Sequence, residues 1–306
     1  MSSIVILGIF VADTAYRAHR IPELGETILG DSFNLSPGGK GSNQAVAAAK
    51  AGANAHMITR LGKDTFADMA LDIWQEAGVT PAITQYDDSY TGAACIFIEA
   101  ESGNNAIIVT PGVASEIDNS DIDRNADLIT QADIFITQLE QPLDAAMYGL
   151  ALARKNGVRT LLNPAPAALL PDGMLALCDY VTPNETEAEG LTGIKVTSVA
   201  SATDAAKALC EAGAGAAIIT LGENGALYHD DKTTIHVPAM PSGKVVETTG
   251  AGDSFNGSFA AAIAEGMSPV DAVKFGCAAA GISVTRPGAA NSMPSRTEID
   301  QRLAQG

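Results

Sequence analysis

Short Val- and Ile-rich runs alternate with helical patterns along this 306-residue chain, and that rhythm restricts its fold more than any other feature. Ile4-Val5-Ile6-Leu7, Ala55–Thr59, Ile134–Thr137, Thr160–Asn163, Tyr180–Thr182 and Ala217–Thr220 read as strands. The first apolar run continues to Val11, so the opening strand is expected over Ile4–Val11. Helical patterns lie at Asn43–Lys50, Phe66–Glu76 and Ser258–Ile263. Strands apolar on both faces and joined by helices indicate a parallel sheet covered on both sides. With right-handed crossovers, the expected fold class is α/β, a doubly wound and mostly parallel sheet flanked by helices.

Two segments break the rhythm. Thr14–Leu35 lacks helical periodicity and carries turn signals at Pro22 and Gly25. Thr91–Val109 reads as two strands, Ala93–Glu99 and Asn105–Val109, around the turn Glu101-Ser102-Gly103-Asn104. The expectation is a single domain over 1–306 with a small β-sheet lid built from about 14–36 and 89–110. Composition narrows the partners. The chain has 36 acidic and 18 basic residues, a net charge of −18, which argues against nucleic acid or an anionic membrane. The N-terminal apolar run is too short to span a bilayer and follows no basic region, so a cytoplasmic location is expected. Cys95, Cys178, Cys210 and Cys277 lie far apart with no zinc-like spacing, and are expected as buried free thiols in a reducing compartment.

Several catalytic signatures are missing: GxGxxG after the first strand, GxxxxGK[ST], HExxH and GxSxG. The four histidines are scattered. Two glycine-rich helix starts stand out instead. In Glu247-Thr248-Thr249-Gly250-Ala251-Gly252-Asp253, two glycines and a carboxylate lead into an Ala-rich helix. A helix start offers unpaired N–H groups and favours negative charge, and glycine lets a phosphate approach. An aspartate in that turn would repel a bare anion. It makes chemical sense if it takes a proton from a hydroxyl that then attacks the phosphate, which points to phosphoryl transfer. The second start, Pro37-Gly38-Gly39-Lys40-Gly41-Ser42-Asn43-Gln44-Ala45, packs three glycines into four residues. Backbone approach to a ligand would justify them, with Lys40 and Asn43 as cation and amide. Asp13, after the first apolar run, and Glu140, beyond Ile134–Thr137, are placed at C-terminal strand ends, where open α/β sheets bind ligands.

These blocks together resemble the signature regions of the ribokinase-like, or PfkB, carbohydrate kinases. Asn163-Pro164-Ala165-Pro166-Ala167, Thr182-Pro183-Asn184-Glu185-Thr186-Glu187, Thr220-Leu221-Gly222 and Val284-Thr285-Arg286-Pro287-Gly288-Ala289 match as well, in order, from Ile4 to about Leu303. The resemblance implies ATP-dependent phosphorylation of a sugar, ribose at its 5-hydroxyl foremost. Deoxyribose, a ketohexose or a nucleoside is the alternative acceptor, and a non-catalytic sugar or nucleotide sensor the alternative class. It implies Asp253 as general base and the amides of Gly250, Ala251 and Gly252 as an anion hole. A sugar site follows from Val11, Asp13, Gly39, Lys40, Gly41, Asn43, Glu140 and Asp253. Asn184, Thr220, Gly222, Gly225, Gly252 and Cys277 would line the ATP site, and Glu187 would hold Mg²⁺ through water. Glu247, Thr249, Ser283, Arg286, Gly288 and Ser292 match a monovalent-cation site that implies K⁺ activation, and a homodimer through the lid is implied too. Two positions depart from the pattern: Val11 stands where Asn is usual, and Glu247 where Asp is usual.

Overall fold

The computed structural model describes residues 2–102 and 104–305, so Gly103 of the expected turn lies outside the described residues. In chain order the strands are β1 (Ser3–Leu7), β2 (Val11–Ala18), β3 (Ser32–Gly38), β4 (Asn54–Gly62), β5 (Thr80–Tyr86), β6 (Thr91–Glu99), β7 (Asn105–Gly112), β8 (Ile134–Thr137), β9 (Arg159–Leu162), β10 (Tyr180–Val181), β11 (Ala216–Thr220), β12 (Ala226–His229) and β13 (Thr234–Val237). The helices are α1 (Lys40–Lys50), α2 (Thr65–Ala77), α3 (Asn119–Arg124), α4 (Ala126–Thr130), α5 (Leu143–Lys155), α6 (Glu185–Thr192), α7 (Val199–Glu211), α8 (Ala251–Ala264), α9 (Pro269–Ser283) and α10 (Arg296–Ala304).

Nine strands form one sheet in the order β13-β12-β11-β10-β9-β8-β1-β4-β5. Neighbours from β11 to β5 are all parallel, and β12 and β13 extend the edge as antiparallel strands. Alternate side chains of β1 serve different cores. Ile4 and Ile6 belong to the core shared with α1, α8 and α9, while Val5 and Leu7 belong to the core shared with α5 and α7 on the other face. That two-sided burial is why these strands read as continuous apolar runs. β5 escapes the pattern in the sequence. It is an edge strand, mostly half-buried or exposed, and carries Pro81, which an edge tolerates.

The remaining four strands make a separate small sheet in the order β3-β2-β6-β7. Its central pair, β2 and β6, is parallel, with antiparallel neighbours on either side. Here the opening strand departs from expectation. The main-sheet strand stops at Leu7, and Val11 already begins β2 of the small sheet. Ile9 and Phe10 are apolar because they are buried in the crossing between sheets, not because they extend β1. Asp13 therefore lies inside a small-sheet strand, between Ser36 and Ala94, and not at the end of β1.

The crossing is tight. A Cβ on Gly8 or on Gly41 would come within 2.8 Å of the other residue's Cα. One on Gly39 would sit 2.6 Å from the Ile9 carbonyl, and one on Gly38 would overlap the Asp13 carboxylate. The 8–13 backbone and Asp13 by themselves demand these glycines. Among the cysteines, Cys178 and Cys277 are buried and Cys210 half-buried, but Cys95 is exposed on β6, contrary to the expectation of four buried thiols.

Candidate active site

The C-terminal ends of β1, β8, β9, β10 and β11 lead into Gly8, Gln138, Asn163, Thr182 and Leu221, and the candidate residues gather around this end of the sheet. Asp253 sits in the first turn of α8, buried to 7% exposure. Asn43 Nδ2 donates to its Oδ2 at 2.9 Å and Gln44 Nε2 to its Oδ1 at 2.9 Å. Burial raises its pKa, while Lys40, Gln44 and Asn43 oppose that rise by stabilising the anion. Gln44 is a contact that sequence reasoning missed. Its position directly after Asn43 in the first turn of a helix beside Asp253 was the available signal.

Acids crowd the same end. Burial, reinforced by the charges of Asp253 and Glu247, pushes Asp13 up to about 6 against the pull of Lys40. Burial also pushes Glu140 up to about 7, although the Lys40 charge and backbone hold it down. For Lys40 itself, burial works toward deprotonation, but Asp253, Glu140, Glu187 and Asp13 outweigh it and raise its pKa. Lys40 thus remains a cation among carboxylates. The Lys40 backbone N–H donates to Glu140 Oε2 at 2.8 Å. The start of α1 therefore takes an internal carboxylate, since Gly39 offers no side-chain cap.

The start of α8 differs. Gly250 has φ 78° and gives no side-chain cap, and a Cβ there would meet Ala289 at 2.9 Å. Ala251 N–H reaches Thr248 O at 3.2 Å, closing a turn. Gly252 is exposed, and a Cβ on it would meet nothing within 4 Å. A helical glycine that packing does not require leaves open room over exposed first-turn backbone, the geometry an anion needs.

Asn184 and Glu187 form a reciprocal capping box at the start of α6, Glu187 N–H donating to Asn184 Oδ1 at 2.8 Å and Asn184 N–H to Glu187 Oε2 at 2.9 Å. Burial raises the Glu187 pKa, and its charge is felt by Lys40. Asn184 also bridges to Thr220, bringing the 184–187 segment beside Gly222. Gly225, at φ 90°, is fixed by the adjoining Val237–Ala239 backbone. Cys277 lies within α9, in the apolar core, where burial pushes its thiol up to about 12.

Glu247 Oε2 accepts from Gly288 N–H at 2.9 Å, and Val284 O accepts from both Val246 and Glu247 N–H. The structure so brings Glu247, Gly288 and the start of α8 together. Ser283 and Ser292 spend their hydroxyls on Ala280 O and Ala289 O, and the Arg286 guanidinium pairs with Glu298. The carboxylate brought there is that of Glu247. Val11 is buried at 4% exposure and packs in the apolar core, its Cγ1 close to Gly92.

The model for the pfkB family of carbohydrate kinases matches residues 1–296. A ribokinase of Haemophilus influenzae is 38% identical over 97% of this chain and 96% of its own length. A deoxyribokinase of Salmonella typhimurium is 35% identical over 98% of both. The structure of Arabidopsis thaliana ribokinase complexed with ribose and ATP superposes with a TM-score of 0.93, at 29% identity and 99% coverage of both chains. The chain belongs to the PfkB family of carbohydrate kinases. Its chemistry is ATP-dependent phosphorylation of a sugar.

Proposed function

We propose that the chain phosphorylates ribose at O5, with Asp253 as general base. The observation that carries this reading is the buried Asp253 carboxylate, held by Asn43 and Gln44, one residue from the open, exposed Gly252 backbone. A hydroxyl beside Asp253 would lose its proton as it attacks, and charge gathering on the phosphoryl oxygens would face the amides of residues 250–252. Because the Ala251 amide already closes a turn, Gly252 is the freer donor. Asp13, Lys40, Asn43 and Glu140 would bind the sugar, with Val11, Gly39 and Gly41 shaping the site. Asn184, Thr220, Gly222 and Gly225 would line the ATP site.

Among the described residues no cluster of three or more His, Cys, Asp or Glu could cage a metal. Mg²⁺ suits such a site, because it keeps its waters and binds mainly through substrate phosphates and one or two carboxylates. Glu187 would hold it through water, and the ion would neutralise phosphate charge. The loop in which Glu247 meets Gly288 would hold a monovalent cation, K⁺ by the family pattern. Among the described residues no helix is long and apolar enough to cross a membrane. We place the protein in the cytoplasm.

A second reading has its own support. The apolar Val11 side chain offers no hydrogen bond to a sugar hydroxyl, which suits 2-deoxyribose, and a deoxyribokinase stands among the relatives. One coupled kinase assay tests both. Ribose, 2-deoxyribose and ketohexoses are compared for the wild type, Asp253→Asn and Val11→Asn, with K⁺ or a bulky organic cation at fixed ionic strength. Asp253→Asn is expected to lose roughly 10²–10⁴-fold in turnover while still binding sugar. Val11→Asn should shift preference toward ribose, by about 5- to 150-fold if one hydrogen bond is gained. Wild-type kcat/KM higher for 2-deoxyribose than for ribose would replace the ribose reading. A rate indifferent to the cation would remove the K⁺ site.

A further inference from the structure

The Asp253 carboxylate terminates a buried chain of amides whose direction is set at its far end. Asn163 Nδ2 donates to the Thr182 carbonyl at 3.1 Å, and a carbonyl can only accept. Asn163 Oδ1 is thereby turned the other way, where it accepts from Gln44 Nε2 at 3.0 Å. Gln44 Oε1 accepts from Gln138 Nε2 at 2.7 Å. The second proton on Gln44 Nε2 is then directed at Asp253 Oδ1, 2.9 Å away. Reversing the Gln44 amide would set its oxygen against both the carboxylate and Asn163 Oδ1. Gln44 and Gln138 are wholly buried and Asn163 nearly so, which leaves no solvent to screen that conflict.

We propose that Gln44, oriented by Asn163 through the Thr182 carbonyl, is a positioning residue that holds the Asp253 carboxylate in one plane and keeps a donor on it. This rests on the reading of Asp253 as the base. The role differs from that of Asn43, whose side chain also faces Asp253 but belongs to the expected sugar site. Gln44 has no exposed surface and acts only through Asp253. The charges that bear on Asp253 come from Lys40 on α1, Asp13 on β2, Glu140 after β8 and Glu187 on α6. All are retained when Gln44 or Asn163 is changed.

The test is the pH profile of kcat/KM for wild type, Gln44→Met, Gln44→Glu and Asn163→Ala, each checked for folding by circular dichroism. Loss of a hydrogen bond to a charged group should move the acid limb of Gln44→Met up by about one to two pH units. Gln44→Glu keeps the shape but sets a second carboxyl against Asp253, so the two share one proton and the limb should move with the titration of the pair. Asn163→Ala, two links away, should move it in the same direction by less, with KM for the sugar within about threefold of wild type. A purely structural role would lower melting temperature and kcat without moving the limb. An unmoved limb in the folded Gln44 variants, or in Asn163→Ala should those fail to fold, overturns the proposal. Substantial turnover by Asp253→Asn would overturn the base reading instead, so the two failures are distinguishable.

Discussion

Glu140 ties a helix start to an acid cluster, and its protonation links the site to stability. Its carboxyl is pushed up to about 7, from an ordinary value near 4.5. Between those two pH values the folded state binds a proton that the unfolded chain has lost. Its contribution to stability therefore falls as pH rises through that window, and Asp13, raised to about 6, acts in the same sense. Glu26 and Glu298, lowered to about 2 by Arg20 and Arg286, gain their stabilisation below this range and do not cancel it. Glu140→Gln keeps an oxygen for the Lys40 N–H and removes the charge. The variant should be more stable than wild type by about 3 kcal/mol at pH 7.5 and nearly equal to it at pH 4.5, as read by denaturant melts. A difference that does not change with pH would count against the shift.

Helix α8 carries two glycines with opposite reasons for being there. Gly257 packs against α1, where a Cβ would overlap the Gln44 carbonyl, so Gly257→Ala should cost about 1–3 kcal/mol in stability. A Cβ on Gly252 would meet nothing within 4 Å, so Gly252→Ala should raise stability by about 0.5–1 kcal/mol through helix propensity. The same methyl would stand where the anion is expected, and turnover should fall at least tenfold. Thermal melts and single-substrate kinetics on the two variants separate these effects. The sequence made the Asp253 turn, the two-sided strands and the small sheet legible, because glycine spacing and apolar periodicity are local signals. It did not reveal Gln44 or the place of Asp13. Gln44 gains its meaning from Asn163 and Gln138, about 120 and 90 residues away. Asp13 was misplaced because Ile9 and Phe10 are apolar for a crossing, which periodicity cannot tell from a strand.

At the scale of the molecule, the small sheet carries several uncovered apolar side chains. Phe33 is 57% and Ile108 71% exposed, and Tyr16 packs its ring against Phe33 at 5.1 Å between centroids. We propose that this sheet closes over the site as a lid and pairs with a second copy of the chain. Ile108→Asp should convert a dimer to a monomer in sedimentation velocity with far-ultraviolet dichroism unchanged; a wild type that sediments as a monomer would end that reading. The two sheets meet where Gly8, Gly39 and Gly41 let backbones pass without side chains between them. In a saturation-mutagenesis screen scored by growth, that junction should tolerate almost no replacement, as intolerant as Asp253 itself. Sequence drift among descendants of this chain would accordingly spare the seam, and a ranking of positions by constancy alone would mistake its joinery for its chemistry.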